Sequence, residues 1–443
     1  MTEKQRILFL FPYDWTTNPR SVREILLLKK KGYEITVVST NVKYVFRYGM
    51  GVPSSPPLSA SFKDIHNYKI PFFTAPLILP NPMLLFKICF LVFYFISAIA
   101  YSISLSFIAL ATCTIHKVSL IHAHNAPDLV GLVAFLVSKV ARIPYVFEVH
   151  DLTPELYAET MNLPSDSIIF KMLKKIERIV VLNSNGNIFV SKAMQNHFES
   201  AYDLSRPKSI VAYSGWTRDF VNIFKYSSSE LKALLRAKSL ENKFIILYLG
   251  SMEDGFRRGL DNLVESIQLL VCAYKLTNAA LVFVGGDDQG IAEQLFRLAK
   301  GLRISSHVFF QGRLPRREAY RWLSVADVAV VPLKKVPSFE IAVGNKTLEY
   351  MASAKAIIAS DLAGHREVIR SGHSGLLFRP NDHIDLASKI FLLATTKGMI
   401  HELGLNARKE FIKSFCWEKQ QTKILHLYDD VLWNRRARTC NPN

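Results

Sequence analysis

The chain has 443 residues, 49% of them hydrophobic, with 55 Lys and Arg against 37 Asp and Glu and a formal charge of +18. That length suits two ordinary α/β domains, and the composition excludes a disordered or fibrous protein. The basic balance admits nucleic acid, an anionic leaflet or a phosphorylated substrate as partner. No RNP-type aromatic motif, helix-turn-helix or basic repeat is present, which sets nucleic acid aside.

In chain order, the polar segment Met1–Arg6 runs directly into an apolar strand and leaves no room for a signal peptide. Strand Ile7–Phe11, a helix over Ser21–Lys31 ended by Gly32, and strand Tyr33–Ser39 open a series of βαβ units. The uncharged stretch Ile88–Ile115 follows, about 42 Å long as one helix. It reads as a hydrophobic helix or re-entrant hairpin dipping into a membrane leaflet, or as a buried helix pair. The series resumes with strand Val118–Ala123, helix Leu129–Lys139, strand Tyr145–Val149, and strands near Ile188–Val190 and Ile210–Tyr213.

A polar, Ser- and Lys-rich connection covers 215–242. A second series then supplies strands Phe244–Leu249, Ala280–Val284, His307–Phe310, Val328–Val331 and Ala356–Ala359, before a final helix over Trp417–Leu432. The expected organisation is an N-terminal domain over 1–214 with a hydrophobic insertion near 80–116, and a C-terminal domain over 243–415. Residues 416–434 form a last helix. Five scattered cysteines lack C-x-x-C or His/Cys ligand spacing, so neither a disulfide framework nor a zinc site is expected. His122 and His124, bracketing Ala123, are read as pointing to opposite faces of their strand and so unable to share a metal.

Polar groups at carboxyl ends of strands mark a ligand cleft in such sheets. Gly344-Asn345-Lys346-Thr347-Leu348-Glu349 lies between two apolar runs, and Gly364 and Glu367 follow. These positions resemble the donor-binding motif of retaining GT-B glycosyltransferases of family 4, the glycosyl transferases group 1. The resemblance covers nearly the whole chain and is weakest over 43–115. It implies two doubly wound Rossmann-like α/β domains facing a cleft, with the last helix crossing back to the first domain. The implied activity is sugar transfer from a UDP- or GDP-linked donor without a metal or cofactor.

Residue by residue, the resemblance implies that Glu349 accepts from the donor ribose and that Gly344, Asn345 and Lys346 lie at the diphosphate. Arg258 matches the basic residue before Gly259-Leu260. Ser251 stands where relatives often have arginine, so a phosphate contact is missing or comes from Arg257. The motif's first glutamate is displaced: Ile341 occupies its place, and Glu340, one residue early, is with His150 a catalytic candidate that reaches the sugar hydroxyls if the loop shifts register, donor recognition being altered if it does not. Arg20 is a candidate phosphate or anionic-acceptor contact, or simply part of a helix capped by Asn18 and begun by Pro19. His150 and Asp151, before Pro154-Glu155, match a His-Asp step near the transferred sugar, with Asn125 and Asp128 on the acceptor side. The insertion and the basic charge favour cytoplasmic, peripheral or monotopic membrane association and a lipid-linked or glycan acceptor. A non-catalytic subunit of a membrane glycosylation complex and a nucleotide-sugar 2-epimerase are the rival readings.

Overall fold

The computed structural model describes residues 5–40, 65–70, 84–125, 129–204, 208–220, 225–287 and 289–440. Two wholly parallel sheets are present. The first has seven strands: β1 (Arg6–Leu10), β2 (Glu34–Thr40), β3 (His66–Ile70), β4 (Leu120–His124), β5 (Tyr145–Val149), β6 (Gly186–Phe189) and β7 (Lys208–Val211), in the order β3-β2-β1-β4-β5-β6-β7. In the second, β8 (Phe244–Leu249), β9 (Ala279–Val284), β10 (Val308–Phe310), β11 (Val328–Val331), β12 (Ala356–Ser360) and β13 (Leu376–Phe378) run β10-β9-β8-β11-β12-β13. Each order reverses once, between β1 and β4 and between β8 and β11. Loops diverge at such switch points and leave a crevice at the carboxyl ends of the strands.

Local sequence explains how the helices are cut. Helix Pro19–Lys30 starts where the Asn18 side chain accepts from the Arg20 N–H and Pro19 takes the first turn, and Gly32 follows it at φ +90°. Helix Ser228–Ala237 carries a capping box between Ser227 and Glu230. Central strands such as β4, β5, β9 and β12 are buried at every residue, as expected when helices cover both faces. Two strands escaped the sequence reading. β3 has one buried residue in five and lies at a sheet edge, and β13 has only three residues, so neither shows a strong apolar pattern.

Helix Trp417–Cys440 returns from the second sheet to the first. Its Ile424, Leu427, Tyr428, Val431 and Leu432 share a core with Ile7, Phe9, Val146 and Ile188. The long apolar segment is a single continuous helix, Leu84–Ile115, which corrects both the hairpin and the helix-pair readings. Tyr101, Leu105, Ala109 and Cys113 recur at helical spacing in the core of the first domain, and the Tyr101 hydroxyl donates to the Phe11 carbonyl at 3.1 Å. On the outward face, Ile99, Ile103, Phe107 and Ile115 are 52–73% exposed.

Candidate functional site

The loops after β8 and β11 meet at the second switch point. Gly250, at φ +152°, lets the Lys346 ammonium approach so closely that a Cβ there would stand 2.6 Å from Nζ. Lys346 donates to the Tyr248 hydroxyl at 2.8 Å, with its ammonium 4.1 Å from that ring's centroid. Tyr248 in turn donates to the Ser251 carbonyl, and Arg258, buried in the same loop, donates to the Glu253 carbonyl at 2.8 Å. Burial alone would raise the Tyr248 phenol, but Lys346 and Arg258 bring it below its ordinary range. Burial, with Arg258 adding to it, lowers the Lys346 ammonium. Two cations thus crowd one small volume, an arrangement that favours an incoming anion.

Gly344 and Asn345 stand at the start of helix Asn345–Ala352, whose N-terminus has no side-chain cap. A Cβ on Gly344 would meet nothing closer than Lys346 Cγ at 3.9 Å, so the protein's own packing does not demand glycine there. Glu349 sits one turn on. Its carboxylate accepts from Trp216 Nε1 at 3.0 Å and from Tyr320 and faces Arg316; burial nonetheless raises it above the usual carboxylate range. Two guanidiniums lie over the Trp216 ring, Arg23 at 4.7 Å and Arg316 at 4.8 Å from its centroid. Trp216 lay outside the sequence reading, because its role depends on a connection that carries no motif.

Glu340 ends the short helix Pro337–Glu340; one oxygen accepts from the Ala363 N–H at 3.4 Å and the other is buried without a hydrogen-bond partner. The displaced neighbour Ile341 turns toward the first domain, packing against its core while its carbonyl accepts from the Ser191 hydroxyl at 2.7 Å. Gly364 permits the next helix to touch this turn, since a Cβ would stand 2.3 Å from the Ala342 carbonyl oxygen. Glu367 then reaches across to accept from the backbone N–H groups of Lys192 and Ala193, at the start of helix Lys192–Tyr202, and from the Tyr213 hydroxyl.

In the first domain His150 follows β5, and burial raises the pKa of the adjacent Asp151 although Arg258 lies near enough to oppose it. Three residues expected at ligands have other partners. Arg20 is 2% exposed, its Nε 3.0 Å from Glu24 and 2.5 Å from Glu148, and it also donates to the Ala212 carbonyl. The phosphate reading of Arg20 is therefore corrected in favour of the capped helix with a buried ion pair. Arg257 pairs with Glu159 and donates to the Ser338 hydroxyl, so it bridges the domains. Asn125 shapes the turn after β5, accepting from the His150 N–H at 2.7 Å and donating to the Asp151 carbonyl at 2.8 Å. Asp128 lies outside the described residues.

His122 and His124 correct an error of geometry: residues two apart on a strand share a face, and the two rings stack at 4.6 Å. With Glu24 and Glu148 they bring ligand atoms within 4.8 Å of one another, a donor set that zinc accepts. Arg20 already neutralises the carboxylates at this point, however. Glu148 is held well below the usual range, since Arg20, His124 and His150 overcome its burial, while burial and Glu148 hold Glu24 well above it. A guanidinium therefore already faces both carboxylates, Arg20 Nε lying 3.0 Å from Glu24 and 2.5 Å from Glu148.

With this geometry in place, the comparisons identify the class. Residues 243–396 match the family described as Glycosyl transferases group 1, and residues 22–219 match Glycosyltransferase Family 4. The chain is a GT-B glycosyltransferase of group 1, as the motif resemblance implied. Among its relatives, an uncharacterised glycosyltransferase of Methanocaldococcus jannaschii is 24% identical over 71% of this chain and 76% of its own length. Alpha-maltose-1-phosphate synthase of Mycolicibacterium smegmatis is 25% identical over 71% and 79%. The solved structure of Anabaena HepE in complex with UDP superposes with a TM-score of 0.71 at 17% identity, covering 96% of this chain and all of that one.

Proposed function

We propose that the protein moves a sugar from a UDP- or GDP-linked donor, with retention at the anomeric carbon, to a lipid-linked or glycan acceptor at the cytoplasmic surface of a membrane. The observation that carries this reading is the pair of cations, Lys346 and Arg258, gathered beside Gly250 and the N-terminus of helix Asn345–Ala352 at the β8/β11 switch point. A diphosphate leaving group meets preorganised positive charge there, and Glu349 one turn on offers an acceptor to ribose hydroxyls. That the structurally similar HepE was solved in complex with UDP supports a nucleotide-sugar donor. No cofactor or catalytic metal enters the proposal; the cationic side chains supply the charge.

The membrane component rests on the outward face of the first domain. Exposed Ile99, Ile103 and Phe107 are joined by Leu136 and Val140 of the adjoining helix Leu129–Ala141, and by Ile168 and Met172 of helix Ile168–Asn183. Lys171, Lys175 and Arg178 are exposed on the last of these helices. Apolar side chains flanked by cations suit an anionic leaflet, where a lipid-linked acceptor resides.

The test is a thermal-shift panel of UDP- and GDP-sugars, in which a ligand at 100 times its Kd adds about 2.7 kcal/mol. A panel without any shift overturns the donor assignment. With a binding donor in hand, transfer to polyprenyl-phosphate-linked sugars is measured and the anomer is read by NMR. An inverted product refutes retention.

A further inference from the structure

The two segments that carry the chain between the sheets meet at Trp216. Its carbonyl accepts from the Trp417 N–H at 2.7 Å. The preceding Gly215 has no room for a side chain, since a Cβ there would stand 1.8 Å from the Phe415 carbonyl oxygen. The outgoing and returning segments therefore touch backbone to backbone, which fixes where the Trp216 side chain begins. Its ring packs on Phe220 with centroids 4.8 Å apart, and its Nε1 donates to Glu349 Oε1 at 3.0 Å. Arg23, from helix Pro19–Lys30 of the first domain, has Nε and Nη1 buried without a hydrogen-bond partner. Its guanidinium lies over two indoles instead, 4.7 Å from the Trp216 centroid and 5.4 Å from that of Trp417. One side chain thus touches the first domain, both connections and the carboxylate expected at the nucleotide.

We propose that Trp216 is a positioning residue for Glu349: its indole N–H holds the carboxylate in place for a nucleotide, and because both connections fix the indole, donor affinity follows the arrangement of the two domains. This deepens the transferase reading and rests on it. A buried carboxylate needs donors around it to stay an acceptor. Burial raises the Glu349 pKa, and Arg316, Tyr320, Trp216 and Lys346 oppose that rise. Arg316 and Tyr320 come from helix Arg316–Val325, Lys346 from the helix of Glu349 itself, and Arg23 faces the same carboxylate from helix Pro19–Lys30. Trp216 alone among the groups that oppose the rise belongs to the connection rather than to a helix of the second domain. Without its N–H the carboxylate is freer to turn and to take up a proton, and each change removes an acceptor.

The experiment has two arms on the full chain. In the first, the indole N–H signals of the five tryptophans are followed with pH in 15N-tryptophan-labelled protein without nucleotide. One signal moves through a transition above the ordinary carboxylate range, and in Glu349→Gln that movement is absent. In the second, Trp216→Phe keeps an aromatic face for Arg23 and Arg316 but lacks the N–H. Its Kd for UDP or GDP by calorimetry rises about tenfold, while kcat moves by less than about threefold. Binding by this variant is also lost at a higher pH on acidification, because one group opposing the burial of Glu349 is gone. A merely structural role would lower the melting temperature and leave that acid limb where it was. Wild-type affinity with an unmoved acid limb overturns the proposal. So does the lack of any indole signal that titrates with Glu349, a result that stands even if Trp216→Phe fails to fold. Because the first arm needs no nucleotide, it separates failure of this inference from failure of the donor assignment, which the thermal-shift panel reads.

Discussion

Glu349 holds three protein partners before any ligand arrives, so its carboxylate is preorganised and its replacement has a defined effect. Glu349→Gln retains shape but loses charge-assisted acceptance from a nucleotide, about 1.5 to 3 kcal/mol. Donor affinity is therefore expected to fall roughly 10- to 150-fold with the melting temperature little changed. Wild-type affinity by calorimetry would remove Glu349 from the donor site. His365 makes a pH prediction. It is fully buried with Nδ1 2.7 Å from the Ser360 carbonyl, and burial lowers its pKa from 6.5 to about 4. The unfolded chain takes up this proton as pH falls through 6.5, while the folded chain resists until about 4. Stability is thus present above pH 6.5 and is lost downward, by about 2 kcal/mol between pH 7 and 5 from this group alone. Urea denaturation at the two pH values measures it, and a slope unchanged in His365→Gln would contradict the assignment.

At the level of the element, helix Leu84–Ile115 has two faces with separate consequences. Leu105 is fully buried, so Leu105→Ala is expected to destabilise by about 2 to 5 kcal/mol. Ile103→Ser with Phe107→Ser changes two exposed positions and leaves the fold near wild-type stability. The same double variant should release the protein from anionic liposomes in high salt, where screening has removed the electrostatic part of binding but not apolar insertion. Wild type remaining in the supernatant in a flotation assay would make this face something other than a lipid contact. Hydropathy alone could not separate the faces: this helix is apolar all round, and only packing against Phe11 and the first sheet divides it.

Across the whole molecule, carboxylates tie the domains together around the cleft. Glu159 of helix Thr153–Met161 accepts from the Ser338 N–H at 2.8 Å and pairs with Arg257, and Glu367 grips the start of helix Lys192–Tyr202 from the other side. Glu159→Ala combined with Glu367→Ala removes these charge-assisted bonds, each worth roughly 1.5 to 3 kcal/mol. A larger radius of gyration by X-ray scattering and a raised donor KM are expected, with each isolated domain's core unaffected. Unchanged scattering and KM would show that closure is held by other contacts.

Sequence by itself determined the two βαβ series, because long apolar strands between amphipathic helices keep their period whatever surrounds them. The family resemblance also pointed to Gly344, Lys346, Glu349 and Arg258 as one expected site, and the structure brings Lys346 and Arg258 to the same side chain, Tyr248. What it could not determine was which polar groups face a ligand and which face one another. Arg20, Asn125 and Arg257 carry the same chemistry as true anion or hydroxyl contacts. Their partners Glu24, Glu148 and Glu159 and the His150–Asp151 backbone come from distant segments brought close by the sheets. The shared face of His122 and His124 was present in the strand's period and was misread. Their convergence on Glu24 and Glu148, by contrast, exists only once helix Pro19–Lys30 lies against β4 and β5. Pairing of buried charge is a property of three-dimensional neighbours, so the tertiary structure alone decided it.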